Sequence, residues 1–502
     1  MPTTGDLPYA LYTAQQVRHF DELAINHFGI SGFELMGRAG AVAFEAMLKR
    51  WPDARTVLVF CGSGNNAGDG YVVALRAHEA GLNVSVIELG DVEKMSVETR
   101  RYREQYLNAG GVLQKQKALP KLLNADVVVD ALFGTGLNAE VKGHWVEAVE
   151  AINRFNLPVM SLDVPSGLQA DTGQVLGCAI KADLTVTFIG LKQGLFTAEG
   201  KGCCGEIIFN ALDVPAKVYA SEILSCRRID WSKLKHSILK RARSSHKGDY
   251  GHVLIIGGNE GFSGAARLAA EAALRSGAGL VSVATRASHA VMLNLGRPEI
   301  MVHAVETAAD LKSLLGKVSV VVLGPGLGKD SWATTMYERV INDATPLVLD
   351  ADGLNLLSDN PIRFPNTRRV IITPHPGEAG RLLNISSREI NRNRFDSVEK
   401  LHQQYDCSVV LKGAGTLICS SGSQPVALCS DGNPGMASGG MGDVLAGITG
   451  TMLAQNDDID LAACLAVSLH SAAADVAATA SGEIGLLASD LFDPIRRLVN
   501  AD

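Results

Sequence analysis

The chain has 502 residues, of which 47% are hydrophobic, and its formal net charge is −7. This length favours at least two domains, because most domains hold about 100–200 residues. The acidic excess comes without a basic stripe, which excludes a typical nucleic-acid-binding surface. Nine cysteines in no metal-binding spacing and the absence of a secretory pattern predict reduced thiols in the cytoplasm. We find no continuous apolar run of 18 residues and expect no membrane span.

The first 222 residues alternate predicted helices and strands. A helical pattern over residues 34–50 precedes a buried strand at 56–61, a glycine-rich loop and a helix at 71–79. Further strands are predicted at residues 84–89, 126–130, 159–162 and 184–188. The alternation predicts a parallel sheet with helices on both faces, and we assign residues 1–222 to this domain.

A polar, basic stretch without a strand pattern separates this domain from the rest, so residues 223–244 are predicted to be a linker. A second α/β pattern then occupies residues 245–502. Its strands are predicted at residues 252–256, 318–323, 347–350, 370–372, 408–411 and 416–419, and its helices at 264–276, 441–454 and 459–480. No short repeat is present, which excludes solenoids and propellers.

Three polar loops follow predicted strands of the first domain. Residues 61–70 read CGSGNNAGDG, residues 130–137 read DALFGTGL and residues 161–167 read SLDVPSG. The carboxyl ends of parallel strands share one crevice, so these loops are expected to converge on one ligand. Glycines allow close backbone approach, and a helix start offers N–H groups to phosphate. An aspartate after a strand is often only a helix cap, which is the alternative for each aspartate taken alone.

The three loops together resemble the NAD(P)H-hydrate epimerases, over most of residues 10–215. The resemblance implies a Rossmann-like three-layer αβα sandwich that interconverts the R and S forms of the C6 hydroxyl of hydrated nicotinamide cofactors. It implies Asp163 as the proton-transfer residue and Asn66, Asp130 and Ser166 as ligands of K⁺. The chain carries Ala67 where the resembled family usually has glycine, and alanine adopts positive φ only at a cost. The implied substrate-binding residues are Asn65, Asn66, Ala67, Gly68, Asp69, Gly134, Thr135, Gly136, Leu137, Asn138, Ala139, Glu140 and Asp163.

The second domain carries a longer series of glycine-rich motifs. They read SHKGDYG at residues 245–251, GPGLG at 324–328, DADGLN at 350–355, TPHPGE at 373–378, KGAGT at 412–416 and GGMGD at 439–443. Backbone N–H groups at such a helix start can stabilise phosphoryl oxygens, and Asp443 there can accept a substrate proton. The alternatives are that Asp443 only caps the helix and that His375, between two prolines, is only structural.

This series resembles the ribokinase-like αβα superfamily and, within it, the ADP/ATP-dependent NAD(P)H-hydrate dehydratases, from about residue 244 to the end. The resemblance implies Asp443 as the catalytic base. Met441 replaces the usual threonine of the glycine motif, which removes a hydroxyl near the phosphates. The implied substrate-binding residues are Ala265, Gly324, Gly326, His375 and Asp443, and the implied nucleotide-binding residues are Lys412, Gly413, Ala414, Gly415, Thr416 and Gly442.

Taken together, the two resemblances imply a cytoplasmic enzyme that repairs the NADH and NADPH hydrates, NADHX and NADPHX. We expect ADP as co-substrate, with ATP as the alternative donor, together with Mg²⁺ and K⁺. We also expect a homo-oligomer and neither nucleic-acid nor membrane partners. The alternative is a ribokinase-like kinase of a small hydroxymethyl substrate, fused to a non-catalytic Rossmann-like binding domain. That alternative leaves the amino-terminal polar cluster unexplained.

Overall fold

The computed structural model describes residues 7–114, 125–421 and 424–501. The chain divides into two compact units, Met1–Cys226 and Arg227–Asp502. Each unit is an α/β structure built on a mainly parallel sheet with helices packed against it, which confirms the predicted fold class.

The first unit contains strands and helices in alternation over most of its length. In chain order they are β1 (Ala10–Leu11), α1 (Ala14–Phe28), α2 (Gly32–Arg50), β2 (Thr56–Cys61), α3 (Asn65–Glu79), β3 (Asn83–Glu88), α4 (Val97–Asn108), β4 (Val112–Gln114), β5 (Val127–Ala131), α5 (His144–Phe155), β6 (Val159–Leu162), β7 (Leu184–Phe188), α6 (Gly200–Cys203) and β8 (Glu206–Asn210).

The sheet of the first unit has the strand order β4-β3-β2-β5-β6-β7-β8, and all the pairings are parallel. Strands β2, β5, β6 and β7 are buried on both faces, as their continuous apolar sequences predicted. The strand order reverses at β2, which lies between β3 and β5. Ligands of open α/β sheets bind at such a switch point, beyond the carboxyl ends of the strands.

The second unit is larger and again alternates strands with helices. In chain order its elements are β9 (Cys226–Ile229), α7 (Trp231–Leu234), β10 (His252–Ile256), α8 (Ser263–Arg275), β11 (Leu280–Thr285), α9 (Ala287–Gly296), β12 (Met301–Ala304), α10 (Ala308–Leu315), β13 (Val320–Leu323), α11 (Ser331–Ile341), β14 (Leu347–Leu349), α12 (Ala351–Asp359), β15 (Val370–Ile372), α13 (Pro376–Leu383), α14 (Ser387–Arg392), α15 (Arg394–Tyr405), β16 (Ser408–Leu411), β17 (Thr416–Cys419), β18 (Val426–Cys429), α16 (Met441–Gln455), α17 (Ile459–Ser481) and α18 (Phe492–Leu498).

The sheet of the second unit runs β9-β18-β17-β16-β15-β14-β13-β10-β11-β12. Strands from β10 to β16 pair in parallel, whereas β16, β17 and β18 form an antiparallel meander. The switch point lies at β10, between β11 and β13. The glycine loops that follow β10 and β13 are therefore neighbours at the carboxyl edge of the sheet.

One sequence expectation for the second unit needs correction. Residues 223–244 were expected to lack a strand, but β9 and α7 lie there, and Ile229 and Trp231 are buried in the core of the unit. Helix α17 is long and apolar enough by composition to cross a membrane. Of its most apolar window, 78% is buried inside the structure, because α17 packs on α16 and on strands of the sheet.

Candidate active sites

A cavity of about 630 Å³ opens at the switch point of the first unit. It is formed by the loops that follow β2, β5 and β6, which the sequence predicted to converge, and by the loop after β7, which was not predicted to join them. Asp21 and Lys192, which were not predicted, also line it. The predicted residues on its walls are Asn65, Asn66, Asp69, Gly134, Thr135, Gly136, Leu137, Asn138, Ala139 and Asp163.

Three predicted substrate-binding residues are not among those that line this cavity. Ala67 and Gly68 are buried within α3, which begins at Asn65, so the prediction of a loop through residue 70 was wrong. Ala67 is fully buried, and its φ is not positive. Alanine therefore fits at a position where the sequence suggested a need for glycine. Glu140 is exposed, and its carboxylate lies 3.7 Å from the Lys142 ammonium.

Asn66, Asp130 and Ser166 form a buried polar cluster at the bottom of these loops. Asp130 accepts hydrogen bonds from the Ser166 hydroxyl at 2.5 Å, the Ser166 amide at 2.8 Å and the Ser161 hydroxyl at 2.8 Å. Burial raises the pKa of Asp130, and these hydrogen bonds act in the opposite direction. Asn66 donates to the Phe133 carbonyl at 2.9 Å, which leaves its buried Oδ1 without a hydrogen-bond partner among the described residues.

Asp163 directly follows strand β6, and one of its two carboxylate oxygens is held by neighbouring side chains. Its Oδ1 accepts hydrogen bonds from the Lys192 ammonium and, at 3.2 Å, from the Thr187 hydroxyl. A methyl group placed on Gly134 would lie 3.7 Å from Asp163 Oδ2, so this second oxygen lies on the cavity side. The arrangement leaves one carboxylate oxygen anchored and the other facing the space where a ligand would bind.

Two further carboxyl groups face the same cavity from neighbouring helices. Burial raises the pKa of Asp21 on α1 to about 6; Lys192 lowers it and Asp163 raises it. Burial also raises the pKa of Asp69 on α3 well above its usual range, with further contributions from Asp163 and Asp21. Carboxyl groups that differ in protonation within one site are the usual requirement for acid–base chemistry.

In the second unit, the predicted substrate residues lie around the switch point at β10. Gly326 adopts a φ of +59°, and a methyl group placed on it would lie 3.1 Å from the Ala265 methyl and 2.6 Å from the Phe262 carbonyl oxygen. Gly324, with φ +132°, packs against the Asp350 backbone. These glycines let the loop after β13 lie against the start of α8, so Ala265 and Gly326 are neighbours as expected.

A charged cluster lies at the ends of β14, β15 and β16. The Lys412 ammonium is 2.7 Å from Asp350 Oδ1 and 3.7 Å from Glu378 Oε2. Gly442 is close to both, because a methyl group placed on it would lie 3.5 Å from the ammonium and 3.8 Å from Asp350 Oδ2. Burial raises the pKa of Asp443 to about 7; Asp350 raises it further and Lys412 lowers it.

His375 both caps helix α13 and offers a polar group to the site. Its Nδ1 accepts hydrogen bonds from the amides of Gly377 at 2.9 Å and Glu378 at 3.3 Å. Burial lowers the pKa of His375, and Lys412 lowers it further, which favours the neutral ring. With Nδ1 acting as the acceptor, the ring proton is on Nε2, which can donate a hydrogen bond.

The predicted nucleotide loop is a tight turn between β16 and β17. Gly413 and Gly415 have φ values of +141° and +68°. The buried guanidinium of Arg394 donates to the carbonyls of Lys412 at 3.3 Å, Leu411 at 3.2 Å and Gly415 at 3.2 Å, which fixes the loop from beneath. Thr416 donates to the Gly413 carbonyl at 3.1 Å, and the side of the loop at Gly413 and Ala414 is exposed.

Helix α16 starts after a glycine, without a side-chain cap. Its cap is Gly440 at φ +88°, and no side chain caps the first turn, so Asp443 is not a capping residue. Met441 is buried in the core instead of pointing towards a ligand. The first-turn N–H groups and Asp443 are therefore the polar groups that this helix start presents.

Lys192, Asp21 and Arg394 were not predicted from the sequence, and Asp350 and Glu378 were part of quoted motifs but were given no role of their own. Lys192, Asp350 and Glu378 each lie within a few residues of a predicted strand end, so the rule that selected Asp163 could have found them. Asp21 and Arg394 lie on helices, and no local pattern distinguishes them from surface residues. Their proximity to the sites depends on tertiary packing.

The fold and the two sites define a two-site α/β enzyme, with a Rossmann-like and a ribokinase-like unit. Residues 32–194 match the family described as YjeF-related protein N-terminus, and residues 253–497 match the NAD(P)H-hydrate dehydratase family. A ribokinase-like superfamily protein of known structure from Enterococcus faecalis is 30% identical with a TM-score of 0.51, and the match covers 55% of this chain and 96% of that one.

Two relatives match over nearly their whole length. The bifunctional NAD(P)H-hydrate repair enzyme of Coxiella burnetii is 47% identical over 98% of this chain and 99% of its own. The enzyme of the same description from Escherichia coli is 41% identical over 99% of this chain and 95% of its own. The chain belongs to the family of bifunctional NAD(P)H-hydrate repair enzymes, with an epimerase unit and an ADP/ATP-dependent dehydratase unit.

Proposed function

We propose that the first unit interconverts the R and S hydrates of NADH and NADPH with Asp163 as the proton-transfer residue. The observation that carries this assignment is the anchoring of Asp163 Oδ1 while Oδ2 faces the cavity. A carboxylate fixed in this way can take the proton of the C6 hydroxyl while the C6–N1 bond opens to an aldehyde, and pass that proton to N1. When N1 attacks the opposite face of the aldehyde, the carboxylate carries the proton from N1 back to the oxygen, which restores the ring with the other configuration at C6. The cavity residues at 65–66 and 134–139 hold the rest of the cofactor through backbone and amide contacts.

A potassium ion fits the cluster of Asn66, Asp130 and Ser166. The buried Asn66 Oδ1 lacks a hydrogen-bond partner among the described residues, and Asp130 is a buried carboxylate whose ionised form a cation would favour. Amide, hydroxyl and carboxylate oxygens are the donors that hard cations prefer. Bound there, K⁺ would supply positive charge beneath the loop that follows β5. Asn66 and Ser166 would then hold that loop, and with it Gly134, against the substrate.

For the second unit we propose phosphorylation of the S hydrate followed by elimination, with Asp443 as the base. Asp443 takes the proton of the C6 hydroxyl, and the oxygen attacks the terminal phosphoryl group of ADP, which releases AMP. A pKa of about 7 suits a base that works near neutrality. N–H groups at the start of α16 stabilise the transferring group, with the Lys412 ammonium beside them.

Elimination then restores the ring. The C6–O bond breaks and phosphate leaves, while C5 loses a proton and the C5–C6 double bond forms. Overall, the S hydrate and ADP give the reduced cofactor, AMP and phosphate. We assign the distal parts of this substrate to Ala265, Gly324, Gly326 and His375. We assign the nucleotide to residues 412–416 and Gly442, where glycines at positive φ expose backbone donors.

Magnesium is expected to arrive with the nucleotide. Among the residues that the structure describes, no group of three or more His, Cys, Asp or Glu side chains could hold a metal ion. This is in keeping with Mg²⁺ bound mainly through phosphates and water.

We also propose a cytoplasmic homo-oligomer. The small-residue helices α16 and α17 are buried inside their unit and do not offer an interface, whereas α9 carries exposed Val291 and Leu295.

The test mixes the full chain with an R/S mixture of NADH hydrate, Mg²⁺ and either ADP or ATP, and follows absorbance of reduced nicotinamide. We expect complete recovery with ADP. Recovery that stops at the initial S fraction would contradict the epimerase assignment. No recovery with either nucleotide, together with phosphorylation of a small hydroxymethyl compound, would favour a kinase instead.

A further inference from the structure

The Lys192 side chain is almost completely buried at the carboxyl edge of the first sheet, with 1% of its surface exposed. All three ammonium protons have acceptors. They are Asp163 Oδ1, the Thr187 hydroxyl at 3.0 Å and the Phe188 carbonyl at 2.9 Å. Because no donor remains for a substrate, Lys192 is placed to act on Asp163 and not as a proton donor itself.

The two turns that Lys192 connects are both strained. Asp163 has a φ of +65°, and the Val164 amide bonds back to the Leu162 carbonyl at 2.8 Å. One strand away, Ile189 has a φ of +64°, and the Gly190 amide bonds to the Phe188 carbonyl at 2.7 Å. Three-residue turns with a positive central φ are rare and cost free energy, and such strain is found at functional sites.

We propose that Lys192 is the positioning residue of the epimerase, which clamps these two turns together and, through its contact with Oδ1, keeps Oδ2 of Asp163 towards the substrate. The proposal rests on the proposed role of Asp163. The clamp crosses from β6 to β7, so it fixes both the direction of the carboxylate and the separation of the two turns. Without the ammonium, Oδ1 would keep only the hydroxyl of Thr187.

Charge around Asp163 makes this cation important. Asp21 faces the cavity from α1 and Asp69 faces it from α3, and the ionised form of either would disfavour negative charge on Asp163. Arg18 also lines the cavity. Lys192 is the cation that contacts the carboxylate directly, and its removal favours the protonated acid.

The test compares Lys192→Met, Lys192→Arg and, as a matched control, Lys217→Met, which alters an exposed lysine of the same unit. Rates of R-to-S conversion are measured by chromatography of NADH hydrate between pH 5 and 9. Dehydration of the S form, which takes place in the second unit, normalises the rates to the amount of active chain in each preparation. We expect Lys192→Met to lower kcat by about a hundredfold or more and to move the acid limb of the profile to higher pH. Lys192→Arg is expected to restore the limb and part of the rate, and the control is expected to match the wild type.

Carboxyl ¹³C NMR of the full chain, with its aspartates labelled, follows the contact between Lys192 and Asp163 without any substrate turnover. The signal of Asp163 is assigned as the one that is lost in Asp163→Asn. An upward shift of its titration in Lys192→Met, with the wild-type titration kept in Lys192→Arg, supports the proposal even if the unit proves not to epimerise. An unchanged pH profile and titration in folded Lys192→Met would overturn it. If Lys192→Met does not fold, the result for Lys192→Arg tests the proposal. A wild-type kcat for Lys192→Arg would refute the need for a compact cation with three donors at this position. A reduced kcat with an unchanged acid limb of the pH profile would support it.

Discussion

Replacing Asp443 with asparagine is expected to abolish dehydration and, above pH 7, to stabilise the protein. Asp443 has a pKa of about 7 in the fold against an ordinary value of 3.8, mainly because of burial and of the nearby Asp350 carboxylate. A carboxyl whose pKa is raised on folding stabilises the folded state only at low pH. That contribution is present in full below pH 3.8 and is lost as the pH rises through 7. Asparagine is neutral throughout and carries no such penalty.

The size of the effect follows from the shift. At about 1.4 kcal/mol per pKa unit, ionising Asp443 costs up to ~4 kcal/mol above pH 7. Between pH 5 and pH 8, the advantage of Asp443→Asn over wild type should grow by about 2–3 kcal/mol. Denaturant unfolding of the full chain at both pH values measures this difference. Asp359→Asn, at an exposed aspartate on α12, is the control and should show no such growth.

If Asp443→Asn is no more stable than wild type at pH 8, or if its advantage is the same at both pH values, the raised pKa of Asp443 is refuted. A variant that keeps its dehydration rate would instead refute the role of Asp443 as the base. In wild type, kcat/KM for dehydration should fall about tenfold per pH unit below pH 7.

Three further predictions concern separate parts of the molecule. Asp163→Asn should lower epimerisation about 10²–10⁴-fold and leave dehydration of the S hydrate unchanged; loss of both activities would contradict independent sites. Potassium should raise the melting temperature and the epimerisation rate of wild type but not of Asp130→Asn, with exchange into a tetramethylammonium buffer as the reference; equal responses would remove Asp130 as a ligand. Arg394→Met should raise KM for ADP and lower stability by about 2–4 kcal/mol, because three loop carbonyls lose a buried donor. An unchanged KM would show that the loop does not bind the nucleotide.

The strands that the sequence predicted lie within two residues of their observed limits, whereas β1, β4, β8, β9, β11, β12 and β18 were not predicted. Strands β2, β6, β7, β10, β15, β16 and β17 begin and end where the apolar runs do. Buried parallel strands have few polar residues, so their limits coincide with the first glycine or aspartate. The start of α3 was misplaced because Asn65 and Gly68 are typical of turns, whereas here they form the first helical turns beside the ligand cavity.

The sites could be predicted only where chemistry lies at a strand end or in a glycine motif at a helix start. Asp163 follows a strand, whereas Asp443 lies in the first turn of α16. Lys192 and Arg394 were not predicted because their functions depend on partners that are distant in the sequence. The partner of Lys192 is 29 positions away, and the partners of Arg394 are 17–21 positions away, on neighbouring elements. The weak strand β9 was missed because Arg227 and Arg228 interrupt its apolar pattern, although both pack against the second unit, Arg227 on Asp460 and Arg228 on Ser430.

The position of β9 decides where the gene could be divided. A dehydratase fragment that starts at residue 245 would lack β9 and α7 and would expose β18 as a bare edge. Unprotected edge strands invite pairing with other chains, so such a fragment should be prone to aggregate. A fragment that starts before Cys226 keeps β18 paired with β9 and retains the hydrogen bond from Arg228 to Ser430. Splitting this bifunctional chain into two separately expressed enzymes therefore requires a cut upstream of the basic segment, not within it.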